Sequence, residues 1–457
     1  MPRIVVALVL LLLAACAGPR PDLARLYADE TGRADQPPVV VIPGLLGSRL
    51  VDTETGEETW PGSAWRILFH DYPALRLEID PATLEPLPDR HRPAGITDRA
   101  AGRDFYGRIL QVLEQSGGYV RTEPGETVTA PAPRYYVFDY DWRQDNVRTV
   151  AELDRLIEQI REDHRNPDLQ VDVIAHSMGG LIARYYIRYG SVDVLDDNDF
   201  PVNGYGAARI RRAILLGTPN LGSVKAARSL IEGFKVGLES IPVDVVATFP
   251  GGLQLLPHPI NLWLIKMDGE ELARDLFEAE FWRRFEISVF DPAVAAAVRD
   301  RYATDAEAQA YLALLAAYFD KHLERARRFV WSLTVPVPQP SVRYIVFGGD
   351  CDLTPARFVV EELDGESHLR LWPREIRNPL PGLDYDRLML EPGDGVVTKA
   401  SLLAREALDP TVPRHRYSFF PMDFAFFLCE SHDRLTGNIN FQDNLLHALL
   451  SADELGR

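Results

Sequence analysis

The stretch that decides the fold is Val171-Asp172-Val173-Ile174-Ala175-His176-Ser177-Met178-Gly179-Gly180. A mostly apolar, strand-like run ends at a serine, and a helical pattern begins directly after it. A serine between a strand and a helix, with very small residues two positions to either side, is typical of a nucleophile elbow. Ala175 and Gly179 are those small residues. The stretch predicts that Ser177 is a nucleophile held on a tight, strained turn.

Outward from this elbow, short β-branched runs alternate with helix-period segments. The pattern predicts strands at 39–42, 135–138, 169–174, 210–216, 344–347 and 417–420, and helices at 105–116, 147–164, 179–189, 306–330 and 440–451. Such alternation is typical of a parallel sheet with crossover helices. We therefore expect the α/β class, with an α/β-hydrolase fold whose central sheet is mostly parallel and flanked by helices.

Two segments interrupt this alternation. Residues 51–103 have little periodicity but contain an aromatic cluster that includes Trp60 and Trp65, which is typical of a lid. Residues 224–338 have helical patterns and few strand candidates, which predicts an inserted helical cap. The expected core is therefore divided into residues 37–223 and 339–457.

The N-terminus has the features of an export signal. Arg3 precedes an apolar run over residues 4–13, and small residues then lead to Cys16. About ten apolar residues are too few to span a bilayer, so a secretory signal is expected over residues 1–15. Leu13-Ala14-Ala15-Cys16 resembles the lipobox of bacterial lipoproteins, which implies lipidation at Cys16 and a tether over 16–36. The expected location is the bacterial cell envelope. Ala17 after the cysteine resembles an outer-membrane sorting signal, so the outer membrane is the expected site.

Composition excludes several classes of partner. The formal net charge of -18 argues against binding to nucleic acid and against charge-driven attachment to anionic lipid. Membrane contact is therefore expected to be apolar or covalent, through the N-terminal lipid. No Cys-x-x-Cys or clustered histidine spacing is present, so neither a metal nor another cofactor is predicted.

The base and the acid are expected later in the chain, because in this fold the order is serine, acid, histidine. His432 lies in a loop before the last helix, whereas His447 falls within that helix, so His432 is the predicted base. For the acid, Asp350 and Asp352 follow a strand end, while Asp394 lies in a Gly-Asp-Gly turn. The residues alone leave this choice open.

The oxyanion of an acyl-transfer intermediate requires backbone donors close to the nucleophile. The Met178 N–H is one, because the elbow points the start of its helix at the site. A second donor is expected in the turn after the first strand, residues 43–48, where Leu45 N–H is the predicted group.

Several motifs together resemble the lecithin:cholesterol acyltransferase and phospholipid:diacylglycerol acyltransferase family. They are Ile42-Pro43-Gly44 to Leu50, Tyr140-Asp141-Trp142-Arg143, Ala175 to Gly180, Gly217-Thr218-Pro219-Asn220-Leu221-Gly222-Ser223, Leu255-Leu256-Pro257 and Gly393-Asp394-Gly395-Val396-Val397. The resemblance implies Asp394 as the triad acid. It also implies a lid or membrane-binding segment at Trp60 and Trp65.

Two cysteines remain besides the lipidation candidate. Cys351 follows one predicted strand end, and Cys429 precedes His432 near the neighbouring strand end. Because an exported chain reaches an oxidising compartment, a disulfide between them is expected, and it would hold the histidine loop.

These features predict a serine-dependent lipid acyl hydrolase or acyltransferase, of the phospholipase A, lipase or O-acyltransferase type. Aromatic residues expected in loops near the site, including Phe424, Phe426 and Phe427, favour a lipid or ester substrate. Two alternatives stay open. One is an esterase or lactonase for soluble substrates, and the other is a non-catalytic envelope lipoprotein that binds lipid with a hydrolase fold.

Overall fold

The structure is a computed structural model. It describes residues 21–33, 36–63, 72–100, 103–130, 132–196, 198–335, 342–404 and 420–451. Cys16 and Trp65 lie outside the described residues, so the predictions that concern them are not addressed by it.

The strands of the described residues are short, and most belong to one large sheet or to small antiparallel pairs. They are β1 Val39–Ile42, β2 Ser48–Asp52, β3 Glu58–Trp60, β4 His91–Ile96, β5 Arg99–Ala100, β6 Arg103–Asp104, β7 Val120–Arg121, β8 Arg134–Val137, β9 Val171–His176, β10 Ile210–Leu216, β11 Phe234–Val236, β12 Glu239–Ile241, β13 Leu264–Lys266, β14 Arg343–Gly349, β15 Asp352–Pro355, β16 Phe358–Leu363, β17 Glu366–Arg370, β18 Leu390–Gly393 and β19 Met422–Leu428.

The α-helices range from single turns to one long helix. They are α1 Leu23–Leu26, α2 Gly107–Gln115, α3 Asn146–Asp163, α4 Met178–Tyr189, α5 Val224–Glu232, α6 Val243–Val246, α7 Pro250–Leu253, α8 Ala279–Arg284, α9 Pro292–Arg299, α10 Asp305–Ser332, α11 Tyr385–Met389, α12 Lys399–Leu402 and α13 Ile439–Leu450.

The central sheet has seven strands in the order β19-β14-β10-β9-β1-β8-β7. Every neighbouring pair in it is parallel. Helices cover both faces, because alternate residues of one strand belong to two different cores. Val40 and Ile42 pack in a cluster with α3 and α4, whereas Val39 and Val41 pack with α2 and α13. The predicted α/β fold, with a mostly parallel sheet flanked by helices, is confirmed.

The parallel arrangement explains where the polar loops of the site meet. In a parallel sheet the carboxyl ends of all strands lie at one edge, and ligands bind there. The loops that follow β1, β9, β10, β14 and β19 carry the candidate residues, and they leave the sheet on that edge.

The two inserted segments contain more strands than the sequence predicts. Strands β3 and β4, within 51–103, form a small antiparallel sheet with β2, which begins before this segment. Within 224–338, β11 and β12 form a hairpin, and β13 pairs in parallel with β16 from beyond the insertion. Strands of three to six residues carry too little period-2 signal to be separated from loops in a sequence.

The last strand was predicted in the wrong place. It is β19, Met422–Leu428, whereas the prediction was 417–420, of which 417–419 lie outside the described residues. Phe424, Phe426 and Phe427 consequently lie on this edge strand and not in loops near the site. Apolar residues lie on both faces of this edge strand, with Phe424 and Phe426 on one face and Ala425 and Phe427 on the other. The sequence therefore lacks the alternation that marks half-buried strands, which explains the error.

Candidate active site

Ser177 lies between the end of β9 and the start of α4, in a backbone conformation that L-residues rarely adopt. Its φ is 54° and its ψ is -122°. Strained conformations of this kind persist only where the surroundings enforce them, and they concentrate at functional sites. A Cβ on Gly179 would lie 2.5 Å from the Pro43 carbonyl oxygen, and one on Gly44 would lie 2.7 Å from the Ser177 Cβ. The close approach of the β1 turn explains why small residues surround the serine.

His432 and Asp394 are in direct contact. His432 Nδ1 lies 2.8 Å from Asp394 Oδ2. The other carboxylate oxygen of Asp394 accepts hydrogen bonds from the N–H groups of Val396 at 3.0 Å and Val397 at 2.7 Å. Burial opposes ionisation of this carboxyl, but the charge of His432 and these hydrogen bonds hold its pKa below the ordinary value. Asp394 is therefore a carboxylate that fixes the imidazole orientation.

The alternative acids lie elsewhere. Asp350 forms an ion pair with Lys399, with its Oδ2 2.8 Å from Nζ. Asp352 begins β15 and is exposed. His447, the alternative base, is exposed on α13, where its Nδ1 lies 2.9 Å from the Ser451 hydroxyl. Of the candidates left open by the residues, the structure brings Asp394 and His432 together.

The Gly-Thr-Pro motif after β10 provides space for this pair. A Cβ on Gly217 would lie 2.9 Å from His432 Nδ1 and 3.1 Å from Asp394 Oδ2, and its φ of 55° is left-handed. The His432 N–H donates to the Asp394 carbonyl at 2.9 Å. Glycine is therefore required here both for the backbone conformation and for contact with the imidazole.

Ser177 and His432 both line two cavities. One has a volume of about 160 Å³ and the other of about 580 Å³, and both are also lined by Leu45, Leu46 and Phe234. The smaller cavity has mostly apolar walls, which include Trp142, Leu230, Ile241, Val246, Phe249 and Leu255. The larger one has more polar groups, which include Thr97, Tyr106, His176, Lys235, Asp433 and Thr436.

The contribution of the β11–β12 hairpin to these cavities is not predicted by the sequence. Phe234 lines both of them, and Lys235, Val236 and Gly237 line the larger one. The hairpin falls in the segment that was predicted to be helical. The alternating run Phe234–Val236 was too short to indicate a strand.

The two predicted oxyanion donors belong to segments that adjoin the serine. Met178 is the first residue of α4, and Leu45 follows Gly44 in the turn that contacts Ser177. Within the described part of the chain, neither N–H donates to a protein acceptor. Backbone N–H groups at a helix start are suited to bind negative charge.

The Tyr-Asp-Trp-Arg motif holds the turn that carries Leu45. The Tyr140 hydroxyl donates to the Pro43 carbonyl at 2.8 Å, and Trp142 Nε1 donates to the Ser48 carbonyl at 3.0 Å. Both rings are fully buried. The motif therefore fixes both ends of the turn through buried aromatic side chains.

Trp60, predicted to belong to a lid, is a buried residue of β3. Its Nε1 donates to the Leu46 carbonyl at 2.8 Å, and its ring contacts Trp142 with centroids 5.7 Å apart. It also lines the larger cavity. Trp60 thus contacts the site from within the core.

Cys351 and Cys429 form a disulfide with their Cα atoms 5.0 Å apart. Cys351 follows β14 by two residues, and Cys429 directly follows β19. The disulfide joins the ends of two neighbouring strands, and its Cys429 lies three residues before His432. No group of three or more His, Cys, Asp or Glu side chains suited to a metal ion occurs among the described residues.

Comparison with protein families gives one match. The sequence model described as "Lecithin:cholesterol acyltransferase" matches residues 98–268. The predicted family resemblance is confirmed over this segment. It covers the Tyr-Asp-Trp-Arg motif, the elbow and the Gly-Thr-Pro motif. A search of curated protein sequences found no match.

Solved structures align with this chain at low sequence identity. A chain in the crystal structure of the Tle4-Tli4 complex has a TM-score of 0.57 and 14% identity, covering 91% of this chain and 98% of that one. Bacillus licheniformis lipase BlEst2 in mature form has a TM-score of 0.31 and 13% identity, covering 91% and 93%. Staphylococcus hyicus lipase has a TM-score of 0.35 and 12% identity, covering 94% and 96%. The family match over residues 98–268 supports an enzyme of the lipid acyl hydrolase or acyltransferase class.

Proposed function

We propose that the protein is a serine-dependent acyl hydrolase or acyltransferase that acts on lipid esters through an acyl-enzyme at Ser177. The observation that carries the proposal is the contact of 2.8 Å between the Asp394 carboxylate and His432 Nδ1, in a site that His432 shares with Ser177. The strained backbone at Ser177 supports its role as the nucleophile.

In the proposed mechanism, the bond to Asp394 leaves His432 Nε2 free to accept the proton of the Ser177 hydroxyl. The serine oxygen attacks the ester carbonyl, and the N–H groups of Leu45 and Met178 stabilise the oxyanion. His432 then gives the proton to the leaving alcohol as the carbonyl–oxygen bond breaks. Water or a second alcohol repeats the sequence in the deacylation step, and His432 returns the proton to Ser177.

The walls of the two cavities support a lipid acyl group as the substrate. The smaller cavity can receive an apolar acyl chain next to Ser177, because its walls are formed by Trp142, Phe249, Leu255 and other apolar residues. The larger cavity leaves room on the other side for the alcohol portion or for a second alcohol. Whether water or an alcohol accepts the acyl group depends on how far the larger cavity excludes water.

We also propose that the chain is an envelope lipoprotein acylated at Cys16, which would hold the enzyme beside its substrate. The support is the sequence alone, because Cys16 lies outside the described residues. No helix in the described ranges is both long and apolar enough to cross a bilayer. Metabolic labelling with a fatty acid, compared between the native chain and Cys16→Ser, tests this proposal.

The test of the activity uses the purified protein and phospholipid vesicles, with and without a long-chain alcohol. Free fatty acid is expected in the absence of the alcohol, and new ester in its presence if acyl transfer competes. A fluorophosphonate probe should label the native protein and leave Ser177→Ala unlabelled. Folded protein that resists the probe and releases no fatty acid would favour a non-catalytic lipid-binding role. A preference for short p-nitrophenyl esters would favour a soluble-substrate esterase.

A further inference from the structure

Two side chains outside the proposed triad connect the loops on either side of Ser177. Tyr106 directly precedes α2, and His176 is the last residue of β9. The Gly44 N–H donates to the Tyr106 hydroxyl oxygen at 2.9 Å, and this oxygen lies 2.8 Å from His176 Nδ1. His176 Nε2 lies 3.2 Å from the carbonyl oxygen of His432. The contacts form an unbroken chain of hydrogen bonds from the oxyanion turn to the histidine loop.

The chemistry of the groups fixes the direction of each bond. A carbonyl oxygen only accepts, so His176 Nε2 must carry the proton that faces His432. In a neutral imidazole Nδ1 is then an acceptor, so the Tyr106 hydroxyl donates to it. The same hydroxyl oxygen accepts from the Gly44 N–H. All three bonds are therefore satisfied by a single tautomer of His176.

Burial keeps His176 in this neutral form. It lowers the pKa of His176 to about 3, with a further contribution from the charge of His432. The rings of the two histidines have centroids 4.7 Å apart. A neutral His176 places no second positive charge next to the imidazolium that forms on the proposed base during the reaction.

The hydrogen-bond chain contacts main-chain groups next to the reacting atoms. Gly44 adjoins Leu45, whose N–H is a proposed oxyanion donor. At the other end, the His432 carbonyl accepts from His176 while the His432 N–H donates to the Asp394 carbonyl at 2.9 Å. The backbone of His432 is thus held on both sides of its Cα.

We propose that Tyr106 and His176 are positioning residues, which fix the oxyanion turn and the histidine loop relative to each other through this hydrogen-bond chain. The inference rests on the proposed function. The two residues are expected to act in the transition state, because a displacement of about 1 Å in an oxyanion donor or a base lowers the rate while leaving substrate binding intact.

The first test compares Tyr106→Phe with a matched control, Tyr185→Phe. The Tyr185 hydroxyl also makes two bonds, accepting from the Val194 N–H at 3.1 Å and donating to the Val192 carbonyl at 3.0 Å, but it does not line either cavity. Tyr106→Phe is expected to lower kcat about 10- to 100-fold with KM within about two-fold of the native value. Tyr185→Phe should lose similar stability and keep the native kcat.

A second readout separates positioning from a general loss of stability. A long-chain boronic acid forms a tetrahedral adduct with a serine nucleophile and so imitates the transition state. Its affinity should fall in Tyr106→Phe by about the same factor as kcat/KM. Equal kcat in the two tyrosine variants, or an unchanged boronic acid affinity, would overturn the proposal.

A third comparison tests rescue at the histidine. His176→Gln offers one acceptor and one donor and is expected to keep most of kcat, whereas His176→Leu offers neither and should match Tyr106→Phe. The double variant Tyr106→Phe/His176→Leu should then be little worse than either single variant. If Tyr106→Phe does not fold, this histidine pair decides the matter, and equal kcat in His176→Gln and His176→Leu would contradict the proposal.

Failure of the proposed function has a different signature. In that case the native protein would not be labelled by a fluorophosphonate, or Ser177→Ala would keep full activity. A native enzyme that depends on Ser177 but is indifferent to Tyr106 and His176 would overturn the positioning role alone.

Discussion

The oxyanion side and the histidine side of Ser177 are held by different means. On the oxyanion side, the turn 43–48 receives hydrogen bonds from buried aromatic side chains of distant segments, including Trp60, Tyr140 and Trp142. On the histidine side, the loop follows the edge strand β19, where Phe424 is 38% exposed, and a disulfide joins that strand to its neighbour. The turn inside the core is fixed by packing and hydrogen bonds, whereas the loop at the sheet edge has a covalent link in addition to its hydrogen bonds.

This difference predicts separate consequences for rate and stability. Changes on the oxyanion side should alter the geometry at Ser177 and lower kcat. Loss of the disulfide should lower the free energy of unfolding and alter kcat less. The contact between Asp394 and His432 belongs to the histidine side. Its loss should lower kcat more than either of these changes does.

The largest effect is expected for Asp394→Asn. An amide in this position cannot hold the imidazole in the tautomer that accepts the serine proton, so kcat should fall about 1,000- to 10,000-fold. Asp350→Asn is the matched control, because Asp350 was the alternative acid and is paired with Lys399. Steady-state kinetics on a p-nitrophenyl ester measure both. A greater loss in Asp350→Asn than in Asp394→Asn would reassign the acid.

A smaller effect is expected for Trp60→Phe. This variant keeps most of the ring but loses the 2.8 Å bond to the Leu46 carbonyl, so the oxyanion turn is less fixed and kcat should fall about 10-fold. Trp282→Phe is the control, since Trp282 is also buried and its Nε1 donates to the Leu276 carbonyl at 2.7 Å. If both variants lowered kcat by the same factor, the prediction that the oxyanion turn has a specific effect on kcat would be wrong.

Removal of the disulfide should affect stability more than rate. The bond closes a loop with a sequence separation of 78 residues, so Cys351→Ser/Cys429→Ser should lower the free energy of unfolding by about 2–4 kcal/mol. At a temperature where the variant is folded, we expect kcat within about three-fold of the native value. Chemical denaturation followed by kinetics measures the two quantities, and a 100-fold loss of kcat in folded protein would contradict the comparison.

The last prediction concerns acid stability. Because the pKa of His176 is about 3 in the folded protein and 6.5 ordinarily, the unfolded chain binds this proton first as the pH falls. The folded state therefore loses stability between pH 6.5 and about 3, by at most about 1 kcal/mol per pH unit, since the ring is partly exposed to the cavity.

His176→Gln removes this contribution, so its unfolding free energy should depend less steeply on pH than that of the native protein. Denaturant unfolding at pH 4, 5 and 6 provides the comparison. Parallel pH profiles for the native protein and His176→Gln would show that burial does not lower the pKa of His176 in the folded protein.

Local sequence signals predicted the centre of the molecule better than its periphery. The strand, the serine and the helix around Ser177 have strong and contiguous patterns, and strand β10 was predicted with its observed bounds. His432 followed from the chain order of the fold. Asp394 depended on the family resemblance, because a carboxylate in a Gly-Asp-Gly turn looks the same as an ordinary turn until its partner is known.

The remaining features required three-dimensional contacts. Tyr106 and His176 are 70 residues apart in the sequence, and no local pattern indicates that a hydroxyl and an imidazole will meet beside Gly44. Trp60 was taken for a lid residue because aromatic residues between glycines and prolines are compatible with both exposure and burial. The short strands β11 and β12 fell below the length at which periodicity is informative.

The most direct test of the central claim is to trap the acyl-enzyme. The native protein is mixed with a p-nitrophenyl ester of a long-chain fatty acid, quenched with acid within the first turnover and digested for mass spectrometry. The peptide containing Ser177 is expected to carry the mass of one acyl group, with a burst of p-nitrophenol of equal amount. Rapid p-nitrophenol release with the acyl group on another residue, or undiminished release by Ser177→Ala, would contradict the central claim.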